Sequence, residues 1–132
     1  MNETILLIDD NAIQAATRQA ILKRAGYFVI AALNPTRALE TIQKDESPAK
    51  INLIITDHSM PGMSGADFVR ALRKTHSDLP VMVISGLTEA EAEYDGMDVT
   101  FRMKPLQPEL LLSNVQRLIQ RSEDDSTKAV VR

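Results

Sequence analysis

The chain has 132 residues, a length typical of one domain that buries a core of its own. Apolar residues make up 44% and charged residues 25%, which excludes the disordered class, and no apolar run is long enough to cross a bilayer. A net charge of −3 disfavours nucleic-acid binding by charge, and the absence of cysteine excludes disulfides and thiolate metal sites.

Short apolar segments rich in branched residues alternate along the chain with segments of helical spacing. The five predicted strands are TILLI at 4–8, YFVIAA at 27–32, INLIIT at 51–56, PVMVI at 80–84 and VTFRM at 99–103. A helix is predicted after each strand, with one apolar face turned to the sheet. The residues expected on these faces are Ile13, Ala16, Ala20 and Ile21; Ala38, Leu39 and Ile42; Phe68, Val69 and Leu72; Leu87, Ala90 and Tyr94; and Leu111, Val115, Leu118 and Ile119.

Residues that start and end helices stand at the expected places. Asn11, Asn34 and Ser64 are predicted N-caps, Pro35 fits a first helical turn, and Gly26 is expected to close the first helix. The result is a fivefold βα repeat, which requires crossovers between parallel strands. We therefore predict an α/β fold, a doubly wound sandwich with helices on both faces of a parallel sheet.

Ligands of such folds bind beyond the carboxyl ends of the strands. Polar residues stand there: Asp9 and Asp10 after the first strand, Asp57 after the third, Ser85 after the fourth and Lys104 after the fifth. Two like charges about 4 Å apart cost roughly 4 kcal/mol at a protein surface, so three converging carboxylates predict a bound cation. Mg²⁺ suits a few carboxylates plus waters and leaves coordination open for a phosphate.

The predicted chemistry of this edge is phosphoryl transfer to a carboxylate. Asp57 is the candidate acceptor, and Mg²⁺, the Lys104 ammonium and the Ser85 hydroxyl would cover the oxygens of the transferred group. Any one acid at a strand end is more often a helix cap or a solvated loop residue. Acids, serine and lysine at successive strand ends together favour the functional interpretation.

Four segments resemble a known family. IDDN at 8–11, IITDHSMPGMSG at 54–65, VISG at 83–86 and FRMKP at 101–105 resemble the signature segments of the receiver domain of bacterial two-component response regulators. The resemblance spans nearly residues 4–121. It implies a flavodoxin-like (βα)5 sandwich with a five-stranded parallel sheet in the order 2-1-3-4-5.

The resemblance implies a role for each residue of the acidic edge. Asp57 resembles the phosphoacceptor of the family and Lys104 its invariant lysine. Asp10, Asp57 and the main-chain carbonyl of Ser59 resemble the direct ligands of Mg²⁺, and Asp9 is expected to bind the ion through water. The family would catalyse its own phosphorylation on such residues without being a turnover enzyme.

The resemblance also implies a switch and its partners. Phosphorylation would draw Ser85 toward the phosphoryl oxygens and let Phe101 turn inward, which changes the surface of the fourth helix, the fifth strand and the fifth helix. The implied donor is a sensor histidine kinase, a histidine phosphotransfer protein or a small acyl phosphate. The implied output is binding of a downstream protein target, with no nucleic-acid or membrane partner. Pro105 after the lysine implies a bond that is commonly cis.

The chain departs from the family pattern in one stretch. Lys104 follows Ser85 by only 19 positions, about three fewer than is common in receivers, so we expect a short fourth helix. Its sequence is acidic and poor in large apolar residues, which favours a monomer or weak dimer. We expect residues 1–121 to form the receiver domain and 122–132, SEDDSTKAVVR, to be a disordered tail. Because no signal peptide is recognisable, we expect a cytoplasmic protein.

Two alternative functions remain. An aspartate-dependent phosphatase of similar topology would carry a second acid two residues after its nucleophile, which the order Asp9, Asp10, Asn11 does not provide. A phosphorylation-independent interaction module would keep the fold and ignore the chemistry. The complete set of acceptor, acid pair and lysine argues against that module, which stays as the alternative. His58 and His76 are assigned to no site.

Overall fold

The computed structural model describes the backbone of residues 3–44 and 50–131 and the side chains of residues 3–44 and 50–122. Strands and helices alternate along the chain, as the hydrophobic pattern predicts. The strands are β1 (Thr4–Ile8), β2 (Phe28–Ala32), β3 (Leu53–Asp57), β4 (Val81–Ser85) and β5 (Thr100–Met103). The helices are α1 (Ala12–Arg24), α2 (Pro35–Gln43), α3 (Gly65–Arg73) and α4 (Pro108–Val131), with a 3₁₀ helix over Thr88–Tyr94.

All five strands pair in parallel, in the order β2-β1-β3-β4-β5. In the middle of the sheet Leu6 of β1 pairs with Ile30 on one side and Ile54 on the other. The predicted α/β class and the strand order 2-1-3-4-5 are therefore confirmed. The strand order reverses beside β1, so the carboxyl ends of β1 and β3 flank the place where doubly wound folds bind ligands.

Each face of the sheet has its own hydrophobic core. Ile54 packs with Phe68 of α3 on one face, whereas the next residue, Ile55, packs with Leu22 of α1 and Val115 of α4 on the other. Successive side chains of a strand point to opposite faces, so a strand covered on both sides must be apolar throughout. This explains why β1, β3 and β4 are buried along their whole length.

The predicted helix caps are confirmed. The side chains of Asn11 and Asn34 each accept a hydrogen bond from a backbone N–H in the first turn that follows. Ser64 and Asp67 form a reciprocal capping box at the start of α3. Gly26 follows the end of α1 with a φ of +102°, a conformation that glycine adopts without strain.

The buried face of α1 differs from the predicted one. Three residues expected to face the sheet, Ile13, Ala16 and Ala20, are exposed, Ile13 by 81%. Ala15, Arg18 and Leu22 are buried instead. Arg18 is not among the residues predicted for this face, because the spacing of apolar residues carries no information about ion pairs. In the fold its guanidinium pairs with buried carboxylates, so the helix turns this face inward.

The fourth helical segment is short, as expected, and is a 3₁₀ helix of seven residues. Ala90 and Tyr94 are buried as predicted, but Leu87 is 46% exposed and its predicted burial is wrong. Leu87 precedes the helix in extended backbone, so helical spacing does not govern where its side chain lies.

The backbone of α4 is helical through Val131, whereas the sequence predicts a disordered tail over 122–132. Adding residues to an existing helix costs little, since only the first turn carries the nucleation cost. Side chains from residue 123 onward, and residue 132 itself, lie outside the described part of the chain. Within the described ranges, no helix is long and apolar enough to span a bilayer.

Candidate functional site

The carboxyl edge of the sheet brings four of the predicted site residues together. Asp9 directly follows β1, Asp57 and Ser85 end β3 and β4, and Lys104 directly follows β5. Asp9, Asp57 and Ser85 are almost completely buried, with 0%, 2% and 2% of their surface exposed. Parallel strands end at the same edge, so the register of the sheet alone accounts for this convergence.

Lys104 supplies a positive charge to the predicted acceptor. Its Nζ lies 3.1 Å from Oδ1 of Asp57, and its side chain is about one-third exposed. The backbone N–H of Lys104 donates to the carbonyl of Ser85, which holds the end of β5 against β4. The Lys104–Pro105 peptide is cis, as the family resemblance implies.

Two residues of α1 that the sequence analysis missed complete the contacts of the carboxylates. Nη1 of Arg18 lies 3.1 Å from Oδ1 of Asp57 and 3.3 Å from Oδ2 of Asp9. Nε2 of Gln14 donates to Oδ2 of Asp57 at 2.9 Å and to Oδ2 of Asp9 at 2.7 Å. The two acids are thus bridged by one charged and one neutral donor.

A sequence signal for these two residues did exist. Gln14, Arg18 and Leu22 follow one another at intervals of four, so they share one face of α1. The helix starts directly after the acid pair, which points this face at the carboxyl edge of the sheet. Polar residues on an inward face next to acids are candidates for buried partners of those acids.

The buried position of Asp57 changes its acidity. Burial raises the pKa of Asp57 to about 6, the neighbouring Asp9 adds to the rise, and the charges of Arg18 and Lys104 oppose it. The carboxylate is therefore ionised at neutral pH, and it is more basic than an ordinary aspartate. A more basic carboxylate is the better nucleophile, which suits an acceptor of a phosphoryl group.

The predicted metal ligands are only partly assembled. Asp10 and Ser59 are exposed, and the described residues contain no group of three acidic or histidine side chains arranged to hold a metal ion. Asp9 and Asp57 nonetheless offer the hard oxygen atoms that Mg²⁺ prefers. Both already bind a cation, the guanidinium of Arg18, so the donor set fits a positive charge at the point where the carboxylates converge.

The predicted switch residues lie on the β4–β5 side of the edge. The hydroxyl of Ser85 donates to the carbonyl of Leu87 at 3.2 Å and accepts from its N–H at 2.9 Å, so it is engaged in its own loop. Phe101 is half-buried and its ring centre lies 5.8 Å from that of Tyr94. The side chain of Tyr94, which the sequence analysis assigned only to the core, fills the space beside the predicted switch.

His58 joins the two sides of the edge. It follows Asp57 and is buried, and its Nδ1 lies 2.7 Å from Oη of Tyr94. Its Nε2 lies 3.3 Å from a carboxylate oxygen of Glu93. The residue after the candidate acceptor is therefore hydrogen-bonded to the 3₁₀ helix.

Residues 5–116 match the family model of the response regulator receiver domain. With its order of strands and its acidic edge, the chain belongs to this family, the receiver domains of two-component response regulators.

Two curated relatives are response regulators named MprA. The protein of Mycobacterium leprae is 30% identical over 126 residues, 92% of this chain and 53% of the relative. The protein of Mycobacterium ulcerans is 31% identical over 130 residues, 95% of this chain and 54% of the relative. The chain thus spans about half the length of these curated relatives.

Solved structures agree with this assignment. The chemotaxis protein CheY4 of Vibrio cholerae superposes with a TM-score of 0.79 at 31% identity, over 89% of this chain and 99% of that one. A response regulator receiver protein of Sinorhizobium medicae superposes with a TM-score of 0.80 at 28% identity, over 92% and 97%. A receiver domain protein of Methanospirillum hungatei, at 22% identity and a TM-score of 0.84, shows the same fold.

Proposed function

We propose that this receiver accepts a phosphoryl group on Asp57, in the presence of Mg²⁺, from the phosphohistidine of a sensor kinase or of a phosphotransfer protein. The observation that carries the proposal is the buried carboxylate of Asp57 at the reversal of strand order, with the Lys104 ammonium 3.1 Å away. A nucleophile and a fixed positive charge are the two parts that phosphoryl transfer needs most.

The transfer exchanges one bond to phosphorus for another. A carboxylate oxygen of Asp57 attacks the phosphorus in line with the P–N bond of the donor. The P–O bond forms as the P–N bond breaks, and the departing imidazole nitrogen keeps the electron pair and takes up a proton from water. Lys104 balances the charge that develops on the transferred oxygens, since its ammonium already contacts the acceptor.

The expected holders of the metal are the oxygen donors of this edge. Asp10, Asp57 and the carbonyl of Ser59 would bind Mg²⁺ directly and Asp9 through water, which matches the preference of this ion for a few carboxylates plus water. When bound, Mg²⁺ neutralises negative charge on the phosphoryl group and on the acceptor. The exposed side chain of Asp10 would have to turn toward the edge to take part.

The proposed output is a change of surface on the β4–β5 side. The Ser85 hydroxyl would exchange its bonds with Leu87 for one to a phosphoryl oxygen, and the ring of Phe101 would then move inward. Because Phe101 packs on Tyr94, the last residue of the 3₁₀ helix, this movement would displace that helix. The surface of the 3₁₀ helix, β5 and α4 would bind the downstream protein target.

We assign the receiver domain to residues 1–121 and propose that it acts as a monomer or weak dimer in the cytoplasm. It catalyses its own phosphorylation and is not a turnover enzyme for an external substrate. One observation favours the alternative of a phosphorylation-independent interaction module: Arg18 and Gln14 already satisfy both buried carboxylates.

The intact mass of the protein after incubation with acetyl phosphate tests the proposal. We expect the native chain to gain one phosphoryl group with Mg²⁺ and none in EDTA. The variant Asp57→Asn should gain none, whereas the matched control Asp78→Asn, at an exposed position, should behave as the native chain does. If the folded native chain accepts a phosphoryl group neither from acetyl phosphate nor from a phosphorylated histidine phosphotransfer protein, the alternative module is the better description.

A further inference from the structure

Arg18 is a buried cation that the proposed transfer does not use. Its residue surface is 9% exposed, and Nη1 contacts Asp57 and Asp9 at 3.1 and 3.3 Å. Burying a guanidinium is unfavourable unless a carboxylate compensates for the lost hydration. The two carboxylates therefore hold the side chain in this position.

The charges of the cluster already cancel. Asp9 and Asp57 contribute two negative charges, and Arg18 and Lys104 contribute two positive ones. A divalent cation added to these four groups would leave an excess of two positive charges, and an excess of one remains after Asp10 has turned in as a further ligand. The guanidinium and a divalent cation that contact the same carboxylates would repel each other strongly, because little water is present there to screen their charges. The guanidinium and a divalent cation thus compete for the same carboxylate oxygens.

We infer that Arg18 is an internal competitor of Mg²⁺. It neutralises Asp9 and Asp57 in the metal-free protein, and its guanidinium must leave their oxygens before the metal can bind. The inference rests on the proposed function, because it concerns the Mg²⁺ site of that function. Its consequence is a receiver whose affinity for Mg²⁺ is set by the exchange of one cation for another.

Gln14 differs from Arg18 in this respect, although it also contacts both acids. Its amide is neutral and carries a carbonyl oxygen as well as the NH₂ group that donates to the carboxylates. Turning the amide over would offer that oxygen to a cation. A guanidinium has only donors and a permanent charge, so it can make room for a metal only by moving away.

The affinity for Mg²⁺, measured by isothermal titration calorimetry at one pH, tests this inference. The variants are Arg18→Met, which keeps an unbranched side chain without the charge, and Arg24→Met as control. Arg24 lies exposed in the last turn of the same helix, so both variants change the net charge equally. We expect Arg18→Met to bind Mg²⁺ at least about tenfold more tightly than the native chain, and Arg24→Met to stay within about twofold.

Equal affinity of Arg18→Met and Arg24→Met would overturn the inference, and so would weaker binding by Arg18→Met. A measurement on the native chain covers the case in which Arg18→Met does not fold. The side-chain ¹⁵N–¹H signals of Arg18 are followed while Mg²⁺ is added. We expect them to move to the positions of a solvent-exposed arginine as the metal saturates. Signals that stay unchanged while the backbone amide of Asp57 shifts would contradict displacement.

The phosphorylation assay on the same samples separates this inference from the proposed function. If saturating Mg²⁺ supports phosphorylation of Asp57 but Arg18→Met gains no affinity, only the inference fails. If the native chain and Arg18→Met neither bind Mg²⁺ nor accept a phosphoryl group from any donor, both fail.

Discussion

The two sides of the carboxyl edge are held by different forces. The charged half consists of Asp9, Arg18, Asp57 and Lys104, in which three ion pairs between 3.1 and 3.3 Å join four side chains. These four side chains come from four different parts of the fold: the end of β1, the end of β3, helix α1 and the end of β5. If both carboxylates moved away, the buried guanidinium of Arg18 would have no partner, which is costly.

The other half consists of Ser85, Tyr94 and Phe101 with the 3₁₀ helix. The hydroxyl of Ser85 bonds within its own loop, and the hydroxyl of Tyr94 makes one hydrogen bond to His58, which directly follows β3. A 3₁₀ helix has poorer hydrogen-bond geometry than an α-helix, so displacing this half costs less free energy than displacing the charged half. This difference supports the proposed switch, in which a change of charge in the charged half would lead to movement of the 3₁₀ helix and its neighbours.

Gly65 lies where the two halves meet, and replacing it should have the largest effect. A Cβ on Gly65 would stand 2.6 Å from the carbonyl oxygen of Asp57 and 2.5 Å from Oη of Tyr94. Gly65→Ala must push backbone apart, so we expect a loss of about 3 kcal/mol in the free energy of unfolding, measured in urea. In the control Gly86→Ala the new Cβ meets nothing within 4 Å, and a change below about 0.5 kcal/mol is expected. Equal urea midpoints for the two variants would contradict the close contact.

Removing the charge of Asp57 should change the free energy of unfolding by an amount that depends on pH. Burial raises the pKa of Asp57 from 3.8 to about 6, so between these values the folded chain holds a proton that the unfolded chain has lost. This group therefore makes the fold less stable as pH rises through that window. We expect metal-free Asp57→Asn to be about 2 kcal/mol more stable than the native chain at pH 7.5 and nearly equal to it at pH 4.

Urea unfolding in EDTA at both pH values measures this difference. Asp67→Asn serves as a contrast, because hydrogen bonds from Ser64 lower the pKa of Asp67 and its charge therefore stabilises the fold as pH rises. If the native chain is instead more stable than Asp57→Asn at pH 7.5, the ion pairs of Asp57 stabilise the fold by more than burial of its charge destabilises it.

Tyr94→Phe should give the smallest of these effects, since it removes one hydrogen bond and keeps the ring against Phe101. The buried His58 nitrogen loses its partner, and we expect a loss of about 1 kcal/mol in unfolding free energy. Tyr27→Phe is the control, because Tyr27 packs against the core on the opposite face of the sheet from Tyr94, so loss of its hydroxyl should leave the 3₁₀ helix unchanged. Faster hydrogen exchange in the 3₁₀ helix of Tyr94→Phe alone would sharpen the comparison, whereas unchanged exchange would speak against the link between the halves.

Much of the fold could be predicted because its signals are local. Apolar runs located the five strands, and the caps at Asn11, Asn34 and Ser64 located the starts of three helices. The convergence of Asp9, Asp57, Ser85 and Lys104 followed from alternation alone, since parallel strands end at one edge. The family resemblance added the order of the strands, which local patterns do not contain.

What the sequence by itself determined is therefore the order of the elements and the edge at which the polar residues meet. Only the tertiary structure decided which side chains touch them. The buried position of Arg18 depends on Asp57, which lies 39 positions further along the chain. The hydrogen bond of Tyr94 depends on His58, which lies 36 positions before it. Burying a charge or a hydroxyl is favourable only with a partner, and that partner is brought near by the packing of the whole sheet.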